Sequence, residues 1–442
     1  MTYNEIIALI TDCEKENDAA FRAVEQTALF NQEKVLNAFK NQNVALRHFA
    51  GSTGYGYEDT GKRVLSAVFA DAFGAEAAVV SPLIASGTHA ISTALFGLLR
   101  PGDTLFSASG LPYDTLVPVI TGSEIGSLAE FGIKFEKADL TQYGDFDMPA
   151  VKTALAKKPA VVFIQRSRGY TWRDSFSVAQ IGQIAALVRK ISPDSVVVVD
   201  NCYGEFTEKT EPIAAGADVI IGSLIKNPGG GIAPTGGYIA GGKKYIDLIA
   251  NRLTAPGVGT EVGSYAADYR AYFQGFFLAP HTVCQALKGA LLFAGVFRRL
   301  GYDTLPKARI NRDGKPFQQL SPSDENRVCN DNDILQPSSI GDIICSIRLN
   351  SKEELIRFCQ AVQSASPVDG FAVPEPCKMP GYSDPVIMAA GTFVQGSSIE
   401  LSADAPIRAP YTAFVQGGLT YEHIKIAVRS CVKALIGRST GN

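Results

Sequence analysis

The chain has 442 residues, 46% of them apolar and 19% charged, with a formal net charge of -3. That balance suits a globular protein with a large core and excludes a disordered chain, while a pI near 5.9 excludes a nucleic-acid binder driven by phosphate neutralisation. No run of about 18 apolar residues appears and the N-terminus lacks a basic stretch, so neither a membrane span nor a signal peptide is expected, and a cytoplasmic location is.

Residues 1–50 place Ile6, Ile7, Ile10, Phe21, Val24, Leu29, Val35 and Phe39 largely at helical steps among charges, which predicts an N-terminal helical arm. A glycine- and tyrosine-rich loop over 51–62 follows, then a helix over 63–73. Part of this loop, from Gly56 to Arg63, nearly spells a P-loop. The position after Lys62 is Arg63 rather than Ser or Thr, and no apolar strand precedes the glycine, so a nucleoside triphosphate site is excluded. From 77 to 250, short β-branched runs at 77–81, 103–107, 133–136, 160–165, 195–200, 218–222 and 236–241 alternate with amphipathic helices. This predicts a mostly parallel sheet flanked by helices, in a large domain over 51–290. A helix over 281–300, a strand over 341–349, a helix over 351–364, two strands within 385–402 and a last helix over 421–436 predict a smaller α+β domain over 291–442.

Three marks in this alternation carry chemistry. After the first strand, Ala85-Ser86-Gly87-Thr88-His89 opens an apolar helix with small residues. Free backbone N–H groups at a helix start, with the Ser86 and Thr88 hydroxyls, suit a phosphate; a plain helix cap is the alternative. Further on, the valines 196–199 end in Asp200. A continuous β-branched run suggests a strand covered on both faces, and its C-terminal end is where open α/β sheets place ligands. The third mark is Lys226, at the end of the strand 218–222 and just before Gly229-Gly230-Gly231, with Ser223 three residues earlier. A lysine there is costly unless its amine has a task, and burial lowers an ammonium's pKa and makes the amine a nucleophile. The task that fits is a Schiff base with pyridoxal phosphate (PLP). Asp200 is then the acidic partner of the pyridine nitrogen, because a protonated ring is the better electron sink. A loop lysine and a helix N-cap are the competing readings of Lys226 and Asp200.

Cysteines and histidines offer less. Cys13, Cys202, Cys284, Cys329, Cys345, Cys359, Cys377 and Cys431 are scattered without a CxxC, mostly among apolar neighbours, and read as reduced buried thiols. The four histidines show no HxxxH or HExxH spacing, so no metal site is expected.

Together these marks resemble the fold-type I PLP enzymes, in particular the cystathionine/methionine γ-lyase group. The features that match are the cup Ser86-Gly87-Thr88, Tyr113 a strand and loop later, Asp200-Asn201, and Ser223-x-x-Lys226. The wording of 165–173, 200–206, 226–230 and 405–411 is similar to an aluminium-resistance, methionine γ-lyase-like branch, and the resemblance runs from about 30 to 436. It implies a large domain with a mostly parallel seven-stranded sheet and a smaller C-terminal α+β domain. Lys226 would hold PLP and move the Cα proton, and Asp200 would pair with the pyridinium. Tyr113 would stack on the ring and protonate a leaving thiolate. Ser86, Gly87, Thr88 and Ser223 would cradle the phosphate. The loop with Tyr55 and Tyr57 would cross to the neighbouring subunit's phosphate, which makes a homodimer or homotetramer with shared active sites. Arg408 would take the substrate carboxylate, with Arg166, Arg168 and Arg173 as competitors. Two positions depart from the common pattern: Ile225 stands where a hydroxyl residue often precedes the lysine, and Gln165-Arg166-Ser167-Arg168 replaces the usual Glu-x-Pro-x-Asn. Trp172 and Cys202 are expected in the core and His89 at a helix start without a catalytic task. The activity implied is that of a carbon–sulfur lyase releasing a thiol, ammonia and an oxo acid. γ-Replacement and aminotransfer are same-cofactor alternatives, and a PLP-binding stress or metal-tolerance protein is one of another class.

Overall fold

The computed structural model describes residues 1–122, 125–307 and 340–436; Cys329 lies outside them. In chain order the helices are α1 (Tyr3–Asn41), α2 (Thr60–Phe73), α3 (Gly87–Leu98), α4 (Val117–Thr121), α5 (Met148–Leu155), α6 (Val178–Ile191), α7 (Lys243–Leu253), α8 (Arg270–Arg299), α9 (Lys352–Ser364) and α10 (Tyr421–Ile436). Seven strands form the larger sheet: β1 (Ala77–Ser81), β2 (Thr104–Ser107), β3 (Lys134–Lys137), β4 (Val161–Gln165), β5 (Val196–Asp200), β6 (Val219–Ser223) and β7 (Gly237–Gly241). The smaller sheet has five: β8 (Thr304–Leu305), β9 (Ile344–Arg348), β10 (Val386–Ala389), β11 (Ser402–Pro406) and β12 (Thr412–Gln416).

All seven expected strands of the large sheet are present within a residue or so of their expected ends. Their order is β1-β7-β6-β5-β4-β2-β3, and only β7 runs against its neighbours. The valine run shows why it folds this way. Val197 and Val199 enter a core shared with α2, α6 and α8, whereas Val198 enters the core under α3 and α7. A strand with helices on both faces needs apolar residues at every position, and the β-branched side chains suit the pleat.

The smaller sheet is wholly antiparallel, in the order β10-β11-β12-β9-β8. It departs from the expectation of two strands within 385–402: β11 starts only at Ser402, and β12 was not foreseen. Pro406 and Pro410 precede Thr412–Gln416 and make the segment look like a loop, yet cross-strand pairing with β9 and β11 overrides that local signal. Helix α8 also begins eleven residues before the expected His281. Pro280 suggests a helix start, but Tyr272, Phe273, Phe276 and Ala279 bury the preceding turns, and Phe276 stacks on Phe69 at 3.8 Å. That packing outweighs one lost backbone hydrogen bond. α8 is long and apolar enough to cross a membrane by length and composition, and 72% of that stretch is buried inside the protein.

Two long helices tie the cores together. α8 gives Val283 and Leu287 to the core of the large sheet and Leu292, Phe293 and Val296 to that of the small one. α1 does the same, with Val35 and Ala38 in the first and Ile6, Ile10 and Cys13 in the second. The described cysteines are all free, and all but Cys377 are buried. A further tie is the ion pair of Arg168 with Asp342, 3.0 Å long and sealed from water on both sides. Asp342→Ala strands a buried guanidinium, and we expect it to cost about 3 kcal/mol, read as a lower urea midpoint. Asp384→Ala, which breaks the exposed pair with Arg408, should cost less than about 1 kcal/mol. Equal losses would refute this ranking.

Candidate active site

Because β1 and β6 are both antiparallel to β7, β1 runs in the same direction as β6, β5, β4 and β2. With β3 parallel to β2, the C-terminal ends of six strands therefore open at one edge of the sheet. The segments leaving that edge carry Ser86, Tyr113, Gln165, Asp200, Ser223 and Lys226.

At the end of β1 the chain turns into α3. Ser86 has extended backbone, and its Oγ accepts the His89 N–H at 3.1 Å, so this hydroxyl serves as the helix cap. His89 is exposed, and its Nδ1 accepts the Ala85 N–H at 3.0 Å. Gly87 and Thr88 are the first two residues of the helix, so their N–H groups have no carbonyl within it and are free to serve as anion donors. A Cβ on Gly87 would sit 3.3 Å from Ser223 Cβ and 3.5 Å from Cys202 Sγ. The bare glycine thus keeps a small cradle open between α3 and β6. Thr88 Oγ1 and the Tyr113 hydroxyl share a hydrogen bond of 2.9 Å, and the Tyr113 N–H donates to Gln165 Oε1 at 2.8 Å.

Asp200 is buried at the end of β5, its Oδ1 accepting the Cys202 N–H at 3.1 Å. Burial pushes its carboxyl above the ordinary range, against the pull of Lys226. Lys226 follows β6, and its Nζ stands 4.2 Å from the centroid of the Tyr203 ring. Here the structure corrects the expectation of a lowered amine. Burial does act against the ammonium, but Cys202, Tyr203, Asp200 and Tyr113 surround it with acidic groups and hold it well above the ordinary lysine value. The Tyr113 hydroxyl is itself raised, chiefly by burial, and so is the Cys202 thiol, which leaves Cys202 neutral and inert.

Several residues have structural roles that the sequence did not assign them. Gln165 is one, as the side chain that holds the Tyr113 backbone. Arg166 is fully buried and donates to Asn201 Oδ1 (2.7 Å), the Gly204 carbonyl (2.9 Å) and Glu208 Oε1 (2.7 Å), clamping the turn after Asp200. That turn holds Tyr203 and Phe206 at positive φ, an unusual state for bulky residues. Glu205 lies beneath it, fully buried, with one oxygen accepting the Tyr238 hydroxyl at 2.9 Å and Oε2 without a partner. Arg168 and Arg173 are likewise committed to protein partners, Asp342 and the carbonyls of Gln165, Arg166, Ser167 and Asp174, so none of the three arginines competes for a ligand. Trp172 packs under the Arg348 guanidinium, 3.9 Å from the ring centroid.

Arg408 and the loop tyrosines lie elsewhere. Arg408 is exposed and pairs with Asp384 at 2.9 Å. Tyr55 and Tyr57 are exposed at 73% and 66%, their rings 5.5 Å apart. The structure thus gathers Gly87, Thr88, Tyr113, Asp200, Ser223 and Lys226 at one edge, with Ser86 as the cap behind them, and does not bring these three to them.

A mostly parallel sheet with a lysine, a carboxylate and a helix N-terminus at its C-terminal edge, and a second antiparallel sheet alongside, is the architecture of fold-type I PLP enzymes. The family model of methionine γ-lyase matches residues 6–340 and 333–436, and the chain belongs to that family. It is 45% identical to the uncharacterized protein YnbB of Bacillus subtilis, over 99% of this chain and 98% of that one. The crystal structure of a carbon–sulfur lyase involved in aluminum resistance from Clostridium novyi is 42% identical, with a TM-score of 0.87 over 98% of this chain and 96% of the other. A pyridoxal-5′-phosphate dependent protein of Escherichia coli, YhfS, shares the fold at 16% identity and a TM-score of 0.59, over 92% of this chain and 96% of that one.

The family implies PLP, and the residues fit it. The Gly87 and Thr88 amides and the cradle beside Ser223 suit its phosphate, Asp200 its ring nitrogen, and Lys226 its aldehyde. Glu205, behind them, gives a test of the site's electrostatics. Burial pushes its carboxyl up from 4.5 to about 8. The folded chain therefore keeps a proton that the unfolded chain releases, and this group's share of stability falls as pH rises through that window. Glu205→Gln should flatten the fall. The urea midpoint of the variant relative to the natural protein should improve between about pH 5 and pH 8, and a difference independent of pH would refute the assignment.

Proposed function

We propose that the protein is a PLP-dependent carbon–sulfur lyase that acts on a sulfur amino acid and releases a thiol, ammonia and an oxo acid. The observation that carries this reading is the placing of Lys226 and Asp200 at the ends of adjacent parallel strands, beside the free N–H groups of α3. Bound PLP supplies the sink for negative charge at the substrate Cα. The chain's own groups do the rest.

Asp200, desolvated and raised, calls for a second cation besides Lys226, and a protonated ring nitrogen is that cation. The Lys226 amine removes the Cα proton. The amine is released without a proton when the substrate displaces it, which leaves it free to accept one from carbon, and Asp200 nearby stabilises the ammonium that forms. The Tyr113 hydroxyl stays protonated and is held by Thr88, so it acts as the acid that delivers a proton to the departing sulfur. In the same reading the working unit is at least a dimer, in which the exposed loop with Tyr55 and Tyr57 brings one of these tyrosines to the partner's phosphate and Arg408 takes the substrate carboxylate once a ligand draws it from Asp384.

Borohydride reduction of the purified protein followed by peptide mass mapping should find a pyridoxyl adduct on Lys226; an adduct on another lysine overturns the site. Release of ammonia and an oxo acid from cysteine, cystathionine, homocysteine or methionine should fall by about 100-fold or more in Lys226→Ala. If the natural protein cleaves no carbon–sulfur bond in any of these, the lyase reading fails.

A further inference from the structure

One carboxylate in the cleft has no part in the chemistry above. Asp404 sits on β11, opposite Phe414 on β12 and Met388 on β10, in a strand otherwise made of Ser, Ala and Pro. Gln416 Nε2 donates to its Oδ2 at 3.0 Å, and no hydrogen bond among the described residues reaches Oδ1. Among the described residues the cation that acts on it is Lys226, so the small sheet's carboxylate feels the large sheet's amine. Aromatic rings line the space between. Tyr203 lies under the Lys226 amine, and Tyr170 packs on Phe414 at 5.1 Å and on Tyr382 at 6.0 Å. Burial raises the hydroxyls of Tyr170, Tyr203 and Tyr382, and the Asp404 carboxylate raises each of them further.

Burial raises this carboxyl to about 6, so it is ionised at neutral pH and short of a partner. A half-buried anion with a free oxygen, next to aromatic faces, is the environment that recognises an ammonium group. The methyl thioether end of methionine would leave that oxygen unpaired and still remove it from water, which is unfavourable. Lys226 cannot serve as the lasting partner, because in the proposed reaction its amine is engaged with the substrate.

We propose that Asp404 selects sulfur amino acids whose chain beyond the sulfur ends in a second ammonium group, as in L-cystathionine or L-cystine, over substrates with an apolar end. This rests on the lyase reading and names its substrate class. Asp404 is a specificity residue; it touches the far end of the substrate and not the reacting bonds.

The test compares L-lysine and L-norleucine, which share one carbon skeleton and differ by the terminal ammonium, by calorimetric titration of the holoenzyme. L-Lysine should bind about tenfold or more tightly. Asp404→Asn, which keeps the shape and a polar contact with Gln416, should bring the two affinities within about threefold without weakening norleucine. Equal affinities in the natural protein overturn the proposal. So does an equal loss for both ligands in Asp404→Asn, which is what a purely structural role would give. In turnover, kcat/KM for L-cystathionine should fall at least about tenfold in the variant while that for S-methyl-L-cysteine holds. Failure to cleave either compound counts against the lyase reading, whereas the calorimetric comparison still decides the role of Asp404.

Discussion

A cation and an anion, both drawn out of water, have to stay within reach of each other at the ends of two parallel strands. Parallel pairing of β5 with β6 sets Asp200 beside Ile221 and brings Ser223 and Lys226 just beyond it. Neither group would be tolerated there alone, since an unpaired buried charge costs several kcal/mol. Each is therefore a condition for the other. The acidic neighbours of Lys226 shift the balance further toward the charged amine, so the pocket is built for an ammonium that forms and discharges.

The turn after Asp200 shows how much structure this pair requires. Tyr203 and Phe206 take left-handed backbone, which costs each of them roughly 1–2 kcal/mol. The cost is offset by Arg166, whose guanidinium reaches Asn201, Gly204 and Glu208 at once, and by Asn31 of α1, whose amide donates to the carbonyls of Phe206 and Glu208 at 3.0 Å. A residue near the start of the chain thus holds the loop that presents Tyr203 beneath the amine. The N-terminal helix is a strap across both cores and not a detached arm, and its docking bears directly on the site.

This also explains what could be seen in the sequence. Val196–Asp200, Val219–Ser223 and the small residues from Ser86 to Thr88 are local patterns, and each announces its strand, its end or its helix start without help from elsewhere. Lys226 and Asp200 follow from them, because a charged residue at the end of a buried strand stands out against its neighbours. Gln165, Tyr203, Glu205 and Asp404 were missed for the opposite reason. Gln165 matters through a bond to a backbone N–H 52 residues away, and Tyr203 through a left-handed turn that no residue preference predicts. Glu205 needs Tyr238 and the packed strands to be seen as buried at all. Asp404 did carry a weak signal, a lone carboxylate among Ser, Ala and Pro, but its meaning depends on an amine almost two hundred residues earlier in the chain. The same limit hid β12, whose identity rests on cross-strand partners.

The two sheets divide the work in a way that follows from their geometry. The large sheet delivers strand ends, and strand ends fix atoms rigidly; the groups that must meet a reacting carbon belong there. The small sheet delivers a face, on which alternate positions of β11 and β12 can change without disturbing the pairing. Asp404 and Phe414 face each other in that register and look across at Tyr170 and Lys226. Chemistry is thereby tied to residues whose replacement would unmake the core, whereas the choice of substrate lies on side chains that the core does not need. On this division a change of specificity within the fold requires only β11 and β12 to vary, and the catalytic pair can stay as it is.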